Sequence, residues 1–181
     1  FNALNGVSTL VIESNAPAAT RMLAQISDYL RATLDTTIQT EVPLSDEIAL
    51  TDRYLAIEQS RLAGRLCIER RIDPDAWDAA VPSLLLQPLV ENAVRHGIAP
   101  LVGGGILGIH CDVRDEHLCV TVRNSGAPRA TECRSGIGLV NTAERLRVLY
   151  GSNHHFGLSW PEAGGCEATI RVPFRNMVCA S

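Results

Sequence analysis

The sequence predicts a two-layer α/β sandwich, with its strands in one mixed sheet and its helices on a single face. Three observations predict it. Past residue 43, helical and strand periodicities alternate in the order helix, strand, helix, two strands, helix, two strands. Glycine-bearing segments stand where strands hand over to helices, at Gly126 and at Gly136 and Gly138. Residues 1 to about 40 carry helical spacing alone, which sets a helical hairpin in front of the sandwich. The expected division is a helical segment over 1–42, the sandwich over 43–175 and a tail over 176–181.

FNALNGVSTLVI forms a first short helix. Asn15 caps a second, Pro17 falls in its first turn, and Ala19, Met22 or Leu23, Ile26, Leu30 and Leu34 make its apolar stripe. That stripe needs a partner: either a second hairpin in a four-helix bundle or the chain's own sandwich. Pro43 breaks the pattern; Ser45 caps a helix running to about Leu62, with Asp46 and Glu47 in its first turn. LCIERRI gives a strand over 66–72, and residues 73–82, with Pro74 and Pro82, a loop. LQPLVENAVRHG, 86–97, reads as one helix. The second half of GGGILGIHCDV and then HLCVTVRN alternate as strands joined by a tight turn at Asp115–Glu116. GIGLVNTAERLRVLYG is helical and closed by Gly151, and HFGLSW and CEATIRVPF form a terminal hairpin through Gly164–Gly165.

Composition narrows the function. The chain has 181 residues, 46% apolar and 20% charged, an ordinary globular mixture. A net charge of −4 and 4% aromatics argue against nucleic-acid binding and against attraction to an anionic membrane. The six cysteines form no CxxC pair and no zinc spacing, so they read as reduced intracellular thiols, Cys111 and Cys119 included. No apolar run approaches 18 residues, so this segment is expected to be cytoplasmic. Beginning on Phe1 rather than Met, it reads as part of a longer chain whose membrane anchor, if any, lies elsewhere.

The helix 86–97 carries the chemistry. At about 100° per residue, Gln87, Glu91, Asn92, Arg95 and His96 share one half-circle and the apolar residues the other. Asn92 and Glu91 can offer oxygen to Mg²⁺, and Arg95 and His96 can face the phosphates it bridges. Plain solvated surface is the competing reading of such a face. In VRNSGAP, Asn124 ends a strand and Gly126 lets the backbone turn closely under a flat ring; an ordinary strand-end turn has the same composition. In SGIGLVNTAERL, Gly136 and Gly138 precede a helix whose unpaired N–H groups favour phosphate, with Asn141 and Arg145 one turn apart behind them.

Taken in order, these segments resemble the catalytic end of a LytS-type sensor histidine kinase, in the wider ATP-binding group that includes gyrase, Hsp90 and MutL. FNALN resembles the tail of the phospho-acceptor helix motif, and ISDYLRATL the second dimerisation helix. VPLSDEIALTDRYLAIEQSRLAGRL resembles the entry to the ATP-binding domain, LQPLVENAVRHG the N box, VRNSG and GIGLVNTAERL the two glycine boxes, and GGCEATIRVP the final hairpin. The resemblance implies a Bergerat-type sandwich that binds ATP with Mg²⁺, Asn92 holding the metal and Glu91 orienting water or tuning the field. It implies Arg95 and His96 toward phosphate or ribose, Asn124 accepting from the adenine amino group, Gly126 closing that pocket, and Gly136 and Gly138 opening a lid. It also implies a homodimer through the N-terminal helices, transfer of the γ-phosphoryl group to a histidine and then to a response-regulator aspartate, and no nucleic-acid partner.

Four departures qualify that picture. Asn124 replaces the aspartate usual across the group, losing charge assistance worth roughly 1 kcal/mol. Arg134 replaces the first lid glycine, and Cys166 a threonine near the adenine. The phospho-accepting histidine lies three residues before the position matched by Phe1, and none of His96, His110, His117, His154 and His155 matches it, so this segment is not expected to label itself. Two other readings remain open: a pseudokinase or dimerising scaffold with weak nucleotide binding, and an anti-sigma-type serine kinase.

Overall fold

Alternation in three strands builds the sheet on which everything else rests. The computed structural model describes residues 2–37, 39–126 and 137–177. In β4 (Gly105–Arg114) Leu107, Ile109 and Cys111 are buried; in β5 (His117–Asn124) Leu118, Val120 and Val122; in β7 (Cys166–Pro173) Ala168, Ile170 and Val172. The intervening residues face away from the helices, as a sheet covered on one side requires. With β2 (Leu66–Ile72) and β6 (His155–Ser159) the order is β2-β4-β5-β7-β6, β2 parallel to β4 and the other pairs antiparallel. The expected mixed sheet with its helical layer is the fold observed.

The tight turn between β4 and β5 forms where expected. Asp115 (φ 49°) and Glu116 (φ 60°) both take the left-handed conformation of a two-residue hairpin loop. In the β4–β5 register Cys111 pairs with Val120 and Asp112 with Cys119. The two thiols therefore point to opposite faces and stay free.

Behind the sheet lie α3 (Leu44–Arg61), α4 (Gln87–Asn92) and α5 (Ile137–Tyr150). Leu44, Leu55, Leu86, Leu89, Val94 and Leu146 join the sheet residues in one core. Two features differ from expectation. The stretch 73–82 is not all loop: after a 3₁₀ turn at Pro74–Ala76, β3 (Ala80–Pro82) pairs antiparallel with β1 (Glu41–Pro43). Three-residue strands are too short for alternation to show. Ser45 does not cap α3, which begins at Leu44; the first-turn amides of Leu44 and Ser45 donate instead to the carbonyls of Ala79 and Trp77, both at 2.9 Å.

The helices α1 (Asn2–Ile12) and α2 (Ala16–Thr37) form the hairpin, and both pack against α3. Asn15 caps α2 as expected, its Oδ1 accepting from Ala18 N at 3.3 Å. The apolar stripe of α2 divides. Ala19 and Met22 are buried, Tyr29 meets Tyr54 with ring centroids 6.0 Å apart, and Gly6 leaves room for Met22. Leu23, Leu30 and Leu34 remain 47%, 55% and 67% exposed. The chain's own sandwich thus takes one edge of the stripe and leaves the other uncovered. Among the described residues no helix is long and apolar enough to cross a membrane.

This division predicts a contrast in stability. Met22→Ala should cost about 2–5 kcal/mol, whereas Leu30→Ala and Leu34→Ala should each stay within about 0.5 kcal/mol. Urea unfolding at a concentration where the chain is monomeric measures both, and equal losses would contradict the packing.

Candidate functional site

The Asn92 helix is not one regular helix. After α4 the backbone widens to a π-helix over Ala93–Ile98, and Ala99 N donates to Val94 O at 2.8 Å, five residues back. The expected polar half-circle therefore comes apart. Gln87 is buried and its Nε2 donates to Glu91 Oε1 at 2.6 Å. Glu91 and Arg95 line a cleft of about 390 Å³ toward the hairpin, with Tyr29, Tyr54, Glu58 and Arg61. Within it Arg61 Nη2 donates to the buried carboxylate of Glu58 at 2.5 Å. Asn92 is half-buried, and among the described residues its carboxamide has no hydrogen-bond partner. It lies one turn beyond Pro88, which is beside Gly138 of α5, so Asn92 shares the α5 side of the helix. His96 is exposed.

The end of the π-helical segment is locked to the sheet by close packing around Asn124. The Oδ1 of this buried residue accepts from Gly126 N at 2.9 Å and Cys166 N at 3.3 Å. A Cβ on Gly97 would lie 2.2 Å from Asn124 Cγ, one on Gly165 would lie 1.9 Å from Asn124 O, and one on Gly126 would lie 2.6 Å from Gly97 O. Only glycine fits at these three points. The oxygen expected to accept from an adenine amino group thus already accepts twice within the chain, which fills its two lone pairs. What Asn124 has left to offer is the donor Nδ2.

Opposite this junction α5 brings Gly138 and Asn141, both exposed, to a cleft of about 210 Å³ with Pro82, Leu85 and Pro88. Arg145 lines the same cleft, but its guanidinium is spent elsewhere: it donates to Ser83 O, to Ser83 Oγ at 3.1 Å and to Thr40 O at 3.2 Å. Expected as added polar reach behind Gly138, it holds the approach to α4 by these bonds. Gly136 and Arg134 lie outside the described residues.

Sequence reading missed Glu47, taken only as a first-turn acid. Its side chain is 1% exposed, and its carboxylate accepts from Leu84 N at 2.5 Å and Leu86 N at 2.9 Å, capping α4 from 39 positions away. It also holds Leu84 at φ 57°, a strained conformation for a branched side chain. Burial pushes the Glu47 carboxyl above its ordinary range, against the pull of the Leu84–Leu86 amides and Arg145. Gly97 and Gly165 were missed too, although a glycine closing an otherwise helical run is a visible signal.

The comparisons bear on what these elements are. A family model described as Histidine kinase matches residues 1–66. The sensor histidine kinase YpdA of Escherichia coli (strain K12) is 32% identical over 191 residues, covering 100% of this chain and 33% of its own length. Sensor protein LytS of Staphylococcus epidermidis is 26% identical, covering 97% of this chain and 32% of its own. The chain thus spans about a third of the length of the curated relatives it matches. Among solved structures, the histidine kinase domain from the Erythrobacter litoralis EL346 blue-light activated histidine kinase superposes with a TM-score of 0.58 at 16% identity, covering 90% of this chain and 82% of that one. That likeness establishes the shared fold.

Two outcomes follow from this packing. Gly97→Ala should destabilise the chain by several kcal/mol on the order of an overpacked core, while Gly103→Ala, with nothing near its Cβ position, should be neutral; thermal melts compare them. Because its folded pKa is raised, Glu47 favours the folded state more as pH falls from the raised value toward the ordinary ~4.3, and that contribution is lost as pH rises. Glu47→Gln should cost about 1–3 kcal/mol near neutrality and remove that slope. Identical pH profiles of urea stability in the two proteins would refute it.

Proposed function

The chain is related to the sensor histidine kinases along its whole length, and from that premise we propose that it is the ATP-binding catalytic region of such a kinase. The observation that carries the reading is Asn92: a half-buried carboxamide with no partner among the described residues, on the α5 side of a helix locked to the sheet. An amide oxygen so placed suits Mg²⁺, which takes oxygen ligands and is otherwise held by phosphates. The residues present therefore fit a magnesium–nucleotide ligand.

When bound, Mg·ATP supplies the γ-phosphoryl group. Asn92 would hold the metal, and the amides at the N-terminus of α5, at Ile137 and Gly138, would favour the phosphates. Asn141 and His96 are the exposed polar groups flanking that path. Gly126, Asn124 and Cys166 would line the side that takes the base, where Asn124 has its Nδ2 donor and not its oxygen to offer. Arg145 and Glu47 position α4. Glu91, expected to orient water or tune the field, and Arg95, expected toward phosphate or ribose, line the cleft toward the hairpin. Positioning and charge neutralisation dominate phosphoryl transfer, which is the work this arrangement suits.

In the whole protein the phosphoryl group passes to a histidine and then to an aspartate of a response regulator. Helices of residues 1–42 pair two copies, and the uncovered Leu23, Leu30 and Leu34 supply the apolar edge for it. A second reading, a dimerising scaffold with weak nucleotide binding, is favoured by one observation: the Asn124 oxygen is fully engaged.

Calorimetry with Mg·ATP separates them. The kinase reading expects saturable binding that falls at least about tenfold in Asn92→Ala, the equivalent of about 1.4 kcal/mol, and falls similarly when magnesium is chelated. Equal binding by the variant would refute the role of Asn92. No binding at millimolar nucleotide, with dimerisation intact, would leave the scaffold.

A further inference from the structure

The β5 strand has Asn124 at one end and His117 at the other, about 24 Å apart for seven steps of roughly 3.4 Å. The His117 end holds a second cluster of polar side chains that the nucleotide reading does not use. A cleft of about 290 Å³ is lined there by His117, Ser152, Asn153, His154, His155 and Arg171. Every lining group can donate a hydrogen bond, and none is a carboxylate.

The fold builds this cluster deliberately. His155 and Arg171 are direct cross-strand partners in the β6–β7 register, and Arg171 is the partner of Cys119 in β5, two residues from His117. The four side chains therefore share the open face of the sheet. Gly151, at φ 58°, ends α5 and turns the loop bearing Ser152, Asn153 and His154 onto the same edge. His154 Nδ1 lies 2.8 Å from Gly151 O, so that nitrogen donates and Nε2 is left for a ligand.

His117 supplies the sharper argument. Its Nδ1 lies 2.6 Å from Asp115 O and its Nε2 3.3 Å from Asn153 Oδ1. Each ring nitrogen thus faces an oxygen, and Arg171 Nη2 stands 3.2 Å from the same Nδ1, so guanidinium, imidazole and the Asn153 carboxamide converge on one point. Such a juxtaposition of donors is stabilised by an anion that all of them can share. The charged groups nearby do not provide it. On β4, Asp112 is engaged by Arg114 Nε at 2.7 Å; Asp115 and Glu116 lie in the adjoining turn, and Glu167 lies two same-face positions along β7.

We propose that this end of the sheet is an anion site for a compact phosphate-bearing ligand, inorganic phosphate or a small phosphomonoester, separate from the nucleotide site. Arg171 is the principal charge, His117, His154 and His155 supply ring N–H donors, and Ser152 and Asn153 complete the shell.

The test is titration of the ¹⁵N-labelled chain with inorganic phosphate, read residue by residue. Saturable shifts are expected at 117, 152–155 and 171. Arg171→Gln should weaken binding about tenfold or more. Gly157→Ala removes no donor, but its new Cβ would lie 2.9 Å from His155 Nε2 and displace that ring, so it should weaken binding too. The variants' own spectra report whether they are folded. Shifts that rise linearly without saturation, or saturable shifts unchanged in Arg171→Gln, would overturn the proposal. So would binding to anionic phospholipid vesicles in sedimentation with none to free phosphate.

Discussion

One carboxamide, that of Asn124, holds together the three segments that make the candidate site. It accepts from Gly126 and Cys166, Gly97 presses against it, and Gly165 presses against the backbone carbonyl of the same residue, where any Cβ would collide. This contact ties the end of the π-helical segment to the end of β5 and the start of β7. Because interiors are close-packed and yield little, the helix bearing Asn92 has essentially one position relative to the sheet. The rest of the site follows from that position. Glu47 caps the front of the same helix and Arg145 clamps the strand leading into it, so its two ends are fixed by distant residues.

That helix has two sides with separate duties. Glu91 and Arg95 face the hairpin, in a cleft with Tyr29, Tyr54 and the Glu58–Arg61 pair. Asn92 faces α5. A rearrangement of α1 and α2 would thus bear directly on the helix that presents Asn92, without any intermediary element. The widening past Ala93 turns Arg95 and His96 relative to Asn92, while Glu91 and Asn92 already diverge within α4.

The sequence made the sheet legible because three of its strands bury every second residue, and that alternation survives in a single chain. The bounds of the strand at 66–72 and the Asp115–Glu116 turn were readable for the same reason. Other features had no local signature. β1 and β3 are three residues each and exist only through their pairing. The π-helical segment shares the composition of an α-helix, and the contact of its Gly97 with Asn124 joins residues far apart in sequence. Glu47 looked like an ordinary first-turn acid because its partners lie 37 and 39 residues away. Arg145 read as mere polar reach on α5 for the same reason, its acceptors lying 62 and 105 residues off. The polar face carrying Asn92 stood out because an amide flanked by Glu91 and an apolar core face is conspicuous in any helix.

The account rests on Asn92, the Asn124 junction and the first turn of α5 acting as one nucleotide-binding surface. Hydrogen–deuterium exchange of the whole chain, with and without saturating Mg·ATP, tests this most directly. Protection should appear together in peptides covering 88–98, 122–126 and 137–142, and be absent from the sheet edge at 66–72. Protection confined to the hairpin cleft around Tyr29 and Tyr54, or none in the three segments at occupancy, would contradict it.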